Sequence, residues 1–514
     1  MDAVVSHGMR RRQVKPNDRL WGVARLILVL ACAVSFSDIA LADGLGDEVA
    51  KIVTARKGGM SVGVRVDRLS QPIEIVYDYN GDELLKPASN QKIITSAAAL
   101  ALLPERFTYR TVLARRGDDL VVVGSGDPST GDPRLAQTAG ESITAFFHEW
   151  AKKLESLGVR QITGDLIFDD TVFETKHLHP SWQGMFNLQS WYTAPVGGLN
   201  FNDNCIDVVS KPTQPGQPAE ITLIPNTPYV ELRNNTKTAS KGEPIISRTG
   251  DDPVVVNVSG NVSRATSAEN PFSLTTVDPG KMFASTLRTV LASRGIAVRG
   301  DLRREQIRNN DGTLPSSVKV IAVHETQIED WLWRVNKNSQ NMFAEALFKT
   351  VGYATDTKAS PRVGTNENAA RALQQFVEKL GVATEGMVFD DGSGLSHNNR
   401  TSAAAIAVTL AMMHRHPKGE LFRSSLAVPG DGVGTLKSRM RDLDGRVFAK
   451  TGTIRGVSAL SGYVQGSDGR MYAFSVLCND THKTKGGTSA AKRLQDEVCK
   501  LLATWEPEPA VSGG

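Results

Sequence analysis

Residues 87–92 read Pro87-Ala88-Ser89-Asn90-Gln91-Lys92, and an alanine- and leucine-rich apolar run follows from Ile93 to Leu103, ending before Pro104. The run has helical composition and stops where a proline would break it. Ser89 and Lys92 are three apart, so a helix opening here sets both on one face. A lysine in that position can take the proton of the serine hydroxyl if burial or a neighbouring cation depresses its pKa. The serine stands at a helix N-terminus, where free N–H groups favour developing negative charge. The S-x-x-K spacing occurs three times, at Ser89/Lys92, Ser316/Lys319 and Ser489/Lys492. Ser316 precedes a strand-like run, Val318 to Val323, so its lysine would not share a helical face. Ser489 reads as the N-cap of a closing amphipathic helix. Only Ser89 lies between a hairpin and a buried-type helix.

Working outward, residues 60–77 alternate like a hairpin: Val62, Val64 and Val66 on one face, a turn at 67–71, then Ile73, Ile75 and Tyr77. Residues 105–312 differ in texture. Short strand-like runs (Leu120–Val123, Ile162–Phe168, Ile206–Val209, Ile221–Ile224, Val254–Val258) are broken by Gly, Pro and Asn, and helices are expected near 141–157 and 279–294. Helices return at 328–350, 365–380 and 401–415, strands at 446–453, 458–465 and 471–478, and a final helix at 489–504. No repeat of 20–50 residues is present, and the tail beyond Trp505 reads as disordered.

Two further motifs lie in the second half. Asn338-Ser339-Gln340-Asn341 offers a hydroxyl that can pass a proton and an amide that can both donate to and accept from a peptide group. Lys450-Thr451-Gly452-Thr453 lies in a strand, where alternation sets Lys450 and Gly452 on one face: a cation for a carboxylate, and room for a substrate backbone. Each motif alone is common. S-x-x-K, S-x-N and K-T-G in this order form the acyl-transferase constellation of penicillin-binding proteins and β-lactamases.

The chain resembles the class C, low-molecular-mass penicillin-binding proteins, the D-alanyl-D-alanine carboxypeptidase/endopeptidase family. Ser89 to Ser339 spans 250 residues and Ser339 to Lys450 spans 111; the first interval suits that family's large insertion. The likeness extends through Gly126-Asp127-Pro128, Gly164-Asp165-Leu166, Asp169-Asp170, Phe173, Asp278-Pro279, Ala344-Glu345, Asp391 to Ser396, Gly434-Thr435-Leu436 and Gly456 to Gly462. It implies an α/β fold: a transpeptidase-type domain, an antiparallel sheet flanked by helices, from 43–106 and 313–514, carrying a β-rich insertion of one or two smaller domains at 107–312. It implies Ser89 as nucleophile, Lys92 as general base, and Ser339 and Lys450 as a proton relay. Asn341 would orient the substrate amide, Thr451 with Lys450 would hold its carboxylate, and the N–H groups of Ser89 and Thr453 would stabilise the oxyanion beside Gly452. Asp169 is expected to help recognise the donor side chain. His397 stands where the family carries an arginine, and Arg455 where it carries an uncharged polar residue; both are expected to face the stem peptide. The implied partners are peptidoglycan muropeptides, with β-lactams as covalent inhibitors, and no cofactor. The competing readings are a β-lactamase or esterase on the same constellation, and a catalytically inactive peptidoglycan-binding protein.

Composition agrees with these expectations. The 514 residues suit about three domains. With 40% hydrophobic and 22% charged residues the chain is neither disordered nor collagenous. Of the net charge of +4, the first 42 residues carry +3, leaving no basic surplus for a nucleic-acid partner. Those residues read as a cleavable export signal: a basic start, an apolar run from Leu26 to Val34, and Ala40-Leu41-Ala42, which directs the protein to the periplasm with Asp43 first. The apolar run is too short to be a transmembrane anchor, and a lipid anchor at Cys32 is the weaker alternative. Among Cys32, Cys205, Cys478 and Cys499 no zinc or iron–sulfur spacing occurs. A Cys478–Cys499 disulfide is one option in an exported chain. Oligomeric state is left open.

Overall fold

The computed structural model describes residues 44–185, 187–443 and 445–506, with the two-residue strand Phe36–Ser37. The expected signal segment, apart from that strand, and the end of the tail lie outside the described residues.

The two ends of the chain build one sheet. Its order is Phe36–Ser37, Ile73–Tyr79, Ser61–Arg68, Met471–Asn479, Val457–Gln465, Val447–Ile454. Ser61–Arg68 runs antiparallel to Met471–Asn479, with Val64 opposite Val476. The N-terminal hairpin thus completes a sheet whose remaining long strands lie within 447–479, which joins the two ends of the described chain in a single sheet. One face is covered by the helices Leu45–Arg56 and Gly487–Thr504, over a core including Val49, Val64, Leu460, Val476 and Leu494. The other face is covered by Gln91–Leu102 and Ala403–Arg415, behind which lie Ile328–Asn336, Asn341–Thr355 and Asn366–Lys379. The helix Gln91–Leu102 is buried along almost its whole length, as its uniformly apolar sequence requires.

The intervening segment is organised around a five-stranded mixed sheet, in the order Leu302–Arg304, Leu166–Asp169, Asp119–Val123, Thr108–Arg116, Lys319–Gln327. The helices Ala145–Ser156 and Pro279–Ser293 pack on it through Phe147, Trp150, Phe201 and Phe283. Two three-stranded sheets complete it: Phe272–Thr275, Cys205–Lys211 and Glu220–Ile224; and Val230–Thr238, Val254–Val262 and Pro244–Thr249.

Several sequence expectations shift here. The strand after Ser316 pairs with Thr108–Arg116 and runs to Gln327, so the inserted sheet extends beyond residue 312. The helix expected over 328–350 is two helices, Ile328–Asn336 and Asn341–Thr355, separated by 337–340. The run 162–168 divides into Gln161–Ile162 and Leu166–Asp169, because Gly164 turns the chain against Asp118 and Asp119. The final helix starts at Gly487 and is capped by Gly486 at φ 93°, not by Ser489. Cys478 and Cys499 are buried free thiols, as is Cys205, so the disulfide option is not realised.

Candidate active site

Three elements converge. Ser89 lies in the 3₁₀ turn Ala88–Asn90 that leads into Gln91–Leu102. Ser339 and Asn341 bracket the start of Asn341–Thr355. Lys450 lies on Val447–Ile454, the edge strand of the sheet. The turn bearing Ser89 is fitted to that strand with almost no clearance. A Cβ on Gly452 would come within 2.9 Å of the Pro87 carbonyl oxygen, 3.1 Å of Ala88 Cβ and 3.1 Å of Asn90 Oδ1. Asn90 anchors the turn from below, donating to Ser461 Oγ at 2.6 Å, which in turn bonds Ser475 Oγ at 2.9 Å. Gly394, at φ 80°, packs so closely on the Ala88 carbonyl that no side chain could be accommodated there.

Lys92 is fully buried. Its Nζ donates to Asn341 Oδ1 at 2.7 Å and to the Ser393 carbonyl at 2.7 Å, and lies 3.2 Å from Ser89 Oγ. Burial pulls its pKa down to about 7, against the opposing influence of the Asp391 and Glu345 carboxylates. A neutral amine has two N–H bonds and one lone pair. Asn341 Oδ1 and the Ser393 carbonyl can only accept, so they take the two N–H bonds and leave the lone pair facing the Ser89 hydroxyl. Lys450 Nζ donates to Ser339 Oγ at 2.8 Å and to the Thr451 carbonyl at 2.9 Å. Its pKa is also lowered, by burial first and then by the charge of Lys92. The two lysines thus each pair with a serine in one water-poor centre.

Around them stands a polar frame. Asp391 accepts from the N–H groups of Gly394 (2.7 Å) and Ser396 (2.6 Å), from Trp182 Nε1 (2.9 Å) and from Asn399 Nδ2 (2.8 Å). Glu345 accepts from the N–H groups of Gly392 (3.3 Å) and Ser393 (2.7 Å), and burial raises its pKa to about 7. These carboxylates fix the loop whose Ser393 carbonyl holds Lys92. Asn341 Nδ2 donates to the Tyr192 carbonyl at 2.7 Å. With Lys92 on its oxygen and Tyr192 on its nitrogen, the Asn341 amide has one orientation.

Thr451 is half-buried, while Thr453, His397 and Arg455 are exposed. His397 has no acidic neighbour of influence; burial, then Lys86, Arg400 and Arg455, lower its pKa. This rim is cationic even when the imidazole is neutral. Asp169 lies elsewhere, wholly buried in the inserted sheet. Its Oδ1 accepts from the N–H (2.9 Å) and hydroxyl (2.6 Å) of Thr171, and its Oδ2 from the N–H groups of Ile307 (2.8 Å) and Arg308 (2.9 Å). Those bonds fix two loops and leave the carboxylate no face for a ligand, so the recognition role expected of it is set aside. Tyr192 escaped the sequence reading because its contribution is a backbone carbonyl. Glu345 and Asp391 were visible only within matching stretches, without a role.

The profile of the D-Ala-D-Ala carboxypeptidase 3 (S13) family matches residues 45–503. The chain belongs to that family. It is 32% identical over 484 residues to a D-alanyl-D-alanine carboxypeptidase of Actinomadura sp. (strain R39), covering 89% of this chain and 84% of the relative. A second D-alanyl-D-alanine carboxypeptidase, from Haemophilus influenzae, is 25% identical over 461 residues, covering 85% and 90%. The crystal structure of penicillin-binding protein 4 from Haemophilus influenzae superposes with a TM-score of 0.69 at 21% identity, covering 88% of this chain and 99% of that one. A structure of that protein complexed with a β-lactam gives 0.65 at 21% identity, covering 89% and 100%. The S13 chain described here is accordingly a serine peptidase of the penicillin-binding type, with the α/β fold that the motifs implied. No helix among the described residues is long and apolar enough to cross a membrane.

Proposed function

We propose that this S13 peptidase removes the terminal D-alanine from peptidoglycan stem peptides and opens D-alanine-linked cross-links, with Ser89 as the acylated residue. The observation that carries the reading is the bonding of Lys92: two acceptors fix its N–H bonds and its lone pair meets Ser89 Oγ. Lys92 takes the hydroxyl proton as Ser89 Oγ bonds the penultimate carbonyl carbon. The N–H groups of Ser89 and Thr453 receive the oxyanion. Ser339 Oγ and Lys450 relay that proton to the departing amine of D-alanine, or of the acceptor peptide in a cross-link, leaving both lysines as they began. Thr451 and Lys450 hold the terminal carboxylate and Asn341 orients the substrate amide; the space beside Gly452, expected to admit the substrate backbone, is instead taken by the turn that carries Ser89. Water then hydrolyses the ester. A β-lactam acylates the same oxygen and has no departing group to vacate the site.

A dedicated β-lactamase of the class A kind uses a free glutamate for deacylation. Glu345 has its oxygens occupied by the Gly392 and Ser393 N–H groups, which favours the peptidase. The export signal, cleaved near Ala42, places the enzyme in the periplasm beside its substrate, and N-terminal sequencing of the secreted protein tests that step.

The deciding experiment incubates the purified protein with cross-linked and uncross-linked muropeptides and weighs the products. Loss of one D-alanine supports the carboxypeptidase and separation of dimers the endopeptidase. Ser89→Ala should abolish both reactions and all β-lactam labelling, whereas Ser316→Ala and Ser489→Ala should leave them intact. A label mapped to Ser316 would overturn the assignment.

A further inference from the structure

The loop 337–340 carries Ser339 and leads into Asn341, and what holds it lies largely outside the motifs. Arg334, one turn earlier on Ile328–Asn336, is almost completely buried. Its Nε and Nη2 reach Asp132 Oδ2 at 2.9 and 2.8 Å, its Nη2 reaches Asp203 Oδ2 at 2.7 Å, and its Nη1 reaches Asn338 Oδ1 at 2.9 Å. The loop is also held on its other side. Gln340 Nε2 donates to the same Asp203 Oδ2 at 3.0 Å, and Gln340 N donates to the Arg334 carbonyl at 2.9 Å. The two residues flanking Ser339 are therefore both tied to one guanidinium–carboxylate cluster. The guanidinium also lies 5.2 Å from the ring centre of Phe343, in the first turn of the helix that starts at Asn341.

Both carboxylates come from the intervening segment. Asp132 caps the helix Pro133–Ala139, accepting from the N–H groups of Arg134 and Leu135. Asp203 sits in the turn Asn202–Asn204 at φ 54°. Neither residue has reason to be where it is for the sake of the large sheet on which Lys450 lies. We infer that Arg334, bridging Asp132 and Asp203, is a positioning group for the reaction, the joint through which the inserted segment sets Ser339 and Asn341 against the two lysines. Planarity is what the joint uses: one rigid fork addresses three partners in different directions, as a lysine ammonium cannot. This role rests on the proposed catalytic roles of Ser339 and Asn341. Their precision is then supplied by residues 202 and 131 positions away in sequence from Arg334.

The test compares the parent protein with Arg334→Lys, Asn338→Ala and Gln340→Ala. The acylation rate of Ser89 by benzylpenicillin is followed by mass, with kcat and KM on a D-Ala-D-Ala peptide and a melting curve for each variant. Arg334→Lys keeps the buried charge but leaves part of the cluster without a partner, so it should melt below the parent while staying folded at the assay temperature. Its acylation rate and kcat should fall by about tenfold or more, up to the roughly hundredfold loss that a displacement near 1 Å can cause, while KM stays unchanged. Asn338→Ala and Gln340→Ala each remove one tie at the loop and should slow acylation by about threefold or more with unchanged melting. If Arg334→Lys does not fold, these two decide by the same criteria. Folded variants that acylate at the parental rate, or whose KM rises while kcat is kept, would overturn the positioning role. A parent protein that is not acylated at Ser89 would instead overturn the function on which it rests.

Discussion

At the scale of single residues the proposed chemistry turns on the protonation of one buried amine, Lys92. Lys92 can accept a proton from Ser89 only when neutral, and its pKa, brought down to about 7 by burial from an ordinary 10.5, lets a large fraction be neutral near neutral pH. The sign follows directly: acidification below that value protonates the amine and removes the base. The acylation rate by a β-lactam should therefore fall as pH drops below about 7, approaching tenfold per unit; a rate independent of pH between about 5 and 8 would exclude Lys92 as the base. The rim obeys a different sign. His397 has its pKa lowered from 6.5 by burial and by Lys86, Arg400 and Arg455, so at neutral pH its ring is uncharged and cannot attract a substrate carboxylate. Arg455 stays charged throughout. Arg455→Ala should raise KM on a diaminopimelate-containing stem peptide at every pH tested. His397→Ala should alter KM only below about pH 6.5. Equal KM values for parent and both variants would show that the rim is merely solvated.

At the scale of elements, the feature that the pattern of the sequence hid is the interruption between Asn336 and Asn341. Apolar residues recur at helical intervals up to Val335 and again from Met342, and although six polar residues lie between them, no glycine or proline marks a break. The chain nonetheless leaves the helix, and Ser339 adopts φ 63°, a conformation that disfavours side chains by about 1–2 kcal/mol. Tertiary ties to Arg334 and Asp203 overrule local propensity here, which is why periodicity alone joined the two helices. A pair of substitutions separates backbone from hydroxyl. Ser339→Gly and Ser339→Ala should both depress kcat, but the glycine variant should resist denaturant better, by about 1 kcal/mol in unfolding free energy. Equal denaturation midpoints for the two would argue against the strained backbone. By contrast the apolar helix after Ser89 and the three C-terminal strands were legible from composition and clear stops, and the hairpin 60–77 in outline; its turn was expected at 67–71, but Asp67 and Arg68 continue the strand Ser61–Arg68, whose pairing shifts register between Val66 and Asp67. The motif residues Ser89, Lys92, Ser339 and Lys450 were legible because side chains write themselves in sequence. The Tyr192 and Ser393 carbonyls that fix Asn341 and Lys92 were not, since every residue has one.

At the scale of the whole molecule, segments on the two sides of the expected division at 107 and 312 pack into one another. Tyr109, Val172, Phe173, Ala194, Val196 and Cys205 belong to the same buried cluster as the helices Gln91–Leu102 and Asn341–Thr355. Tyr109 bonds Thr350 Oγ1 at 2.9 Å and its ring lies 5.8 Å from that of Trp331. Through this shared cluster the inserted segment is coupled to the helices that carry the site, so their unfolding should coincide rather than proceed lobe by lobe. The molecule carries its own reporter for this. Cys205 lies in the inserted segment, while Cys478 on the large sheet and Cys499 on the closing helix share one buried cluster, and all three are buried free thiols. Burial raises each thiol's pKa above its ordinary value, which suppresses the reactive thiolate. A thiol-reactive dye should therefore count none of the three in the native protein and all three at one shared rate once denaturant is added. Stepwise labelling would reveal independent lobes. A fourth thiol in the denatured count would betray a retained Cys32. Three buried sulfurs would then serve as a clock for opening and as a tally of leader removal.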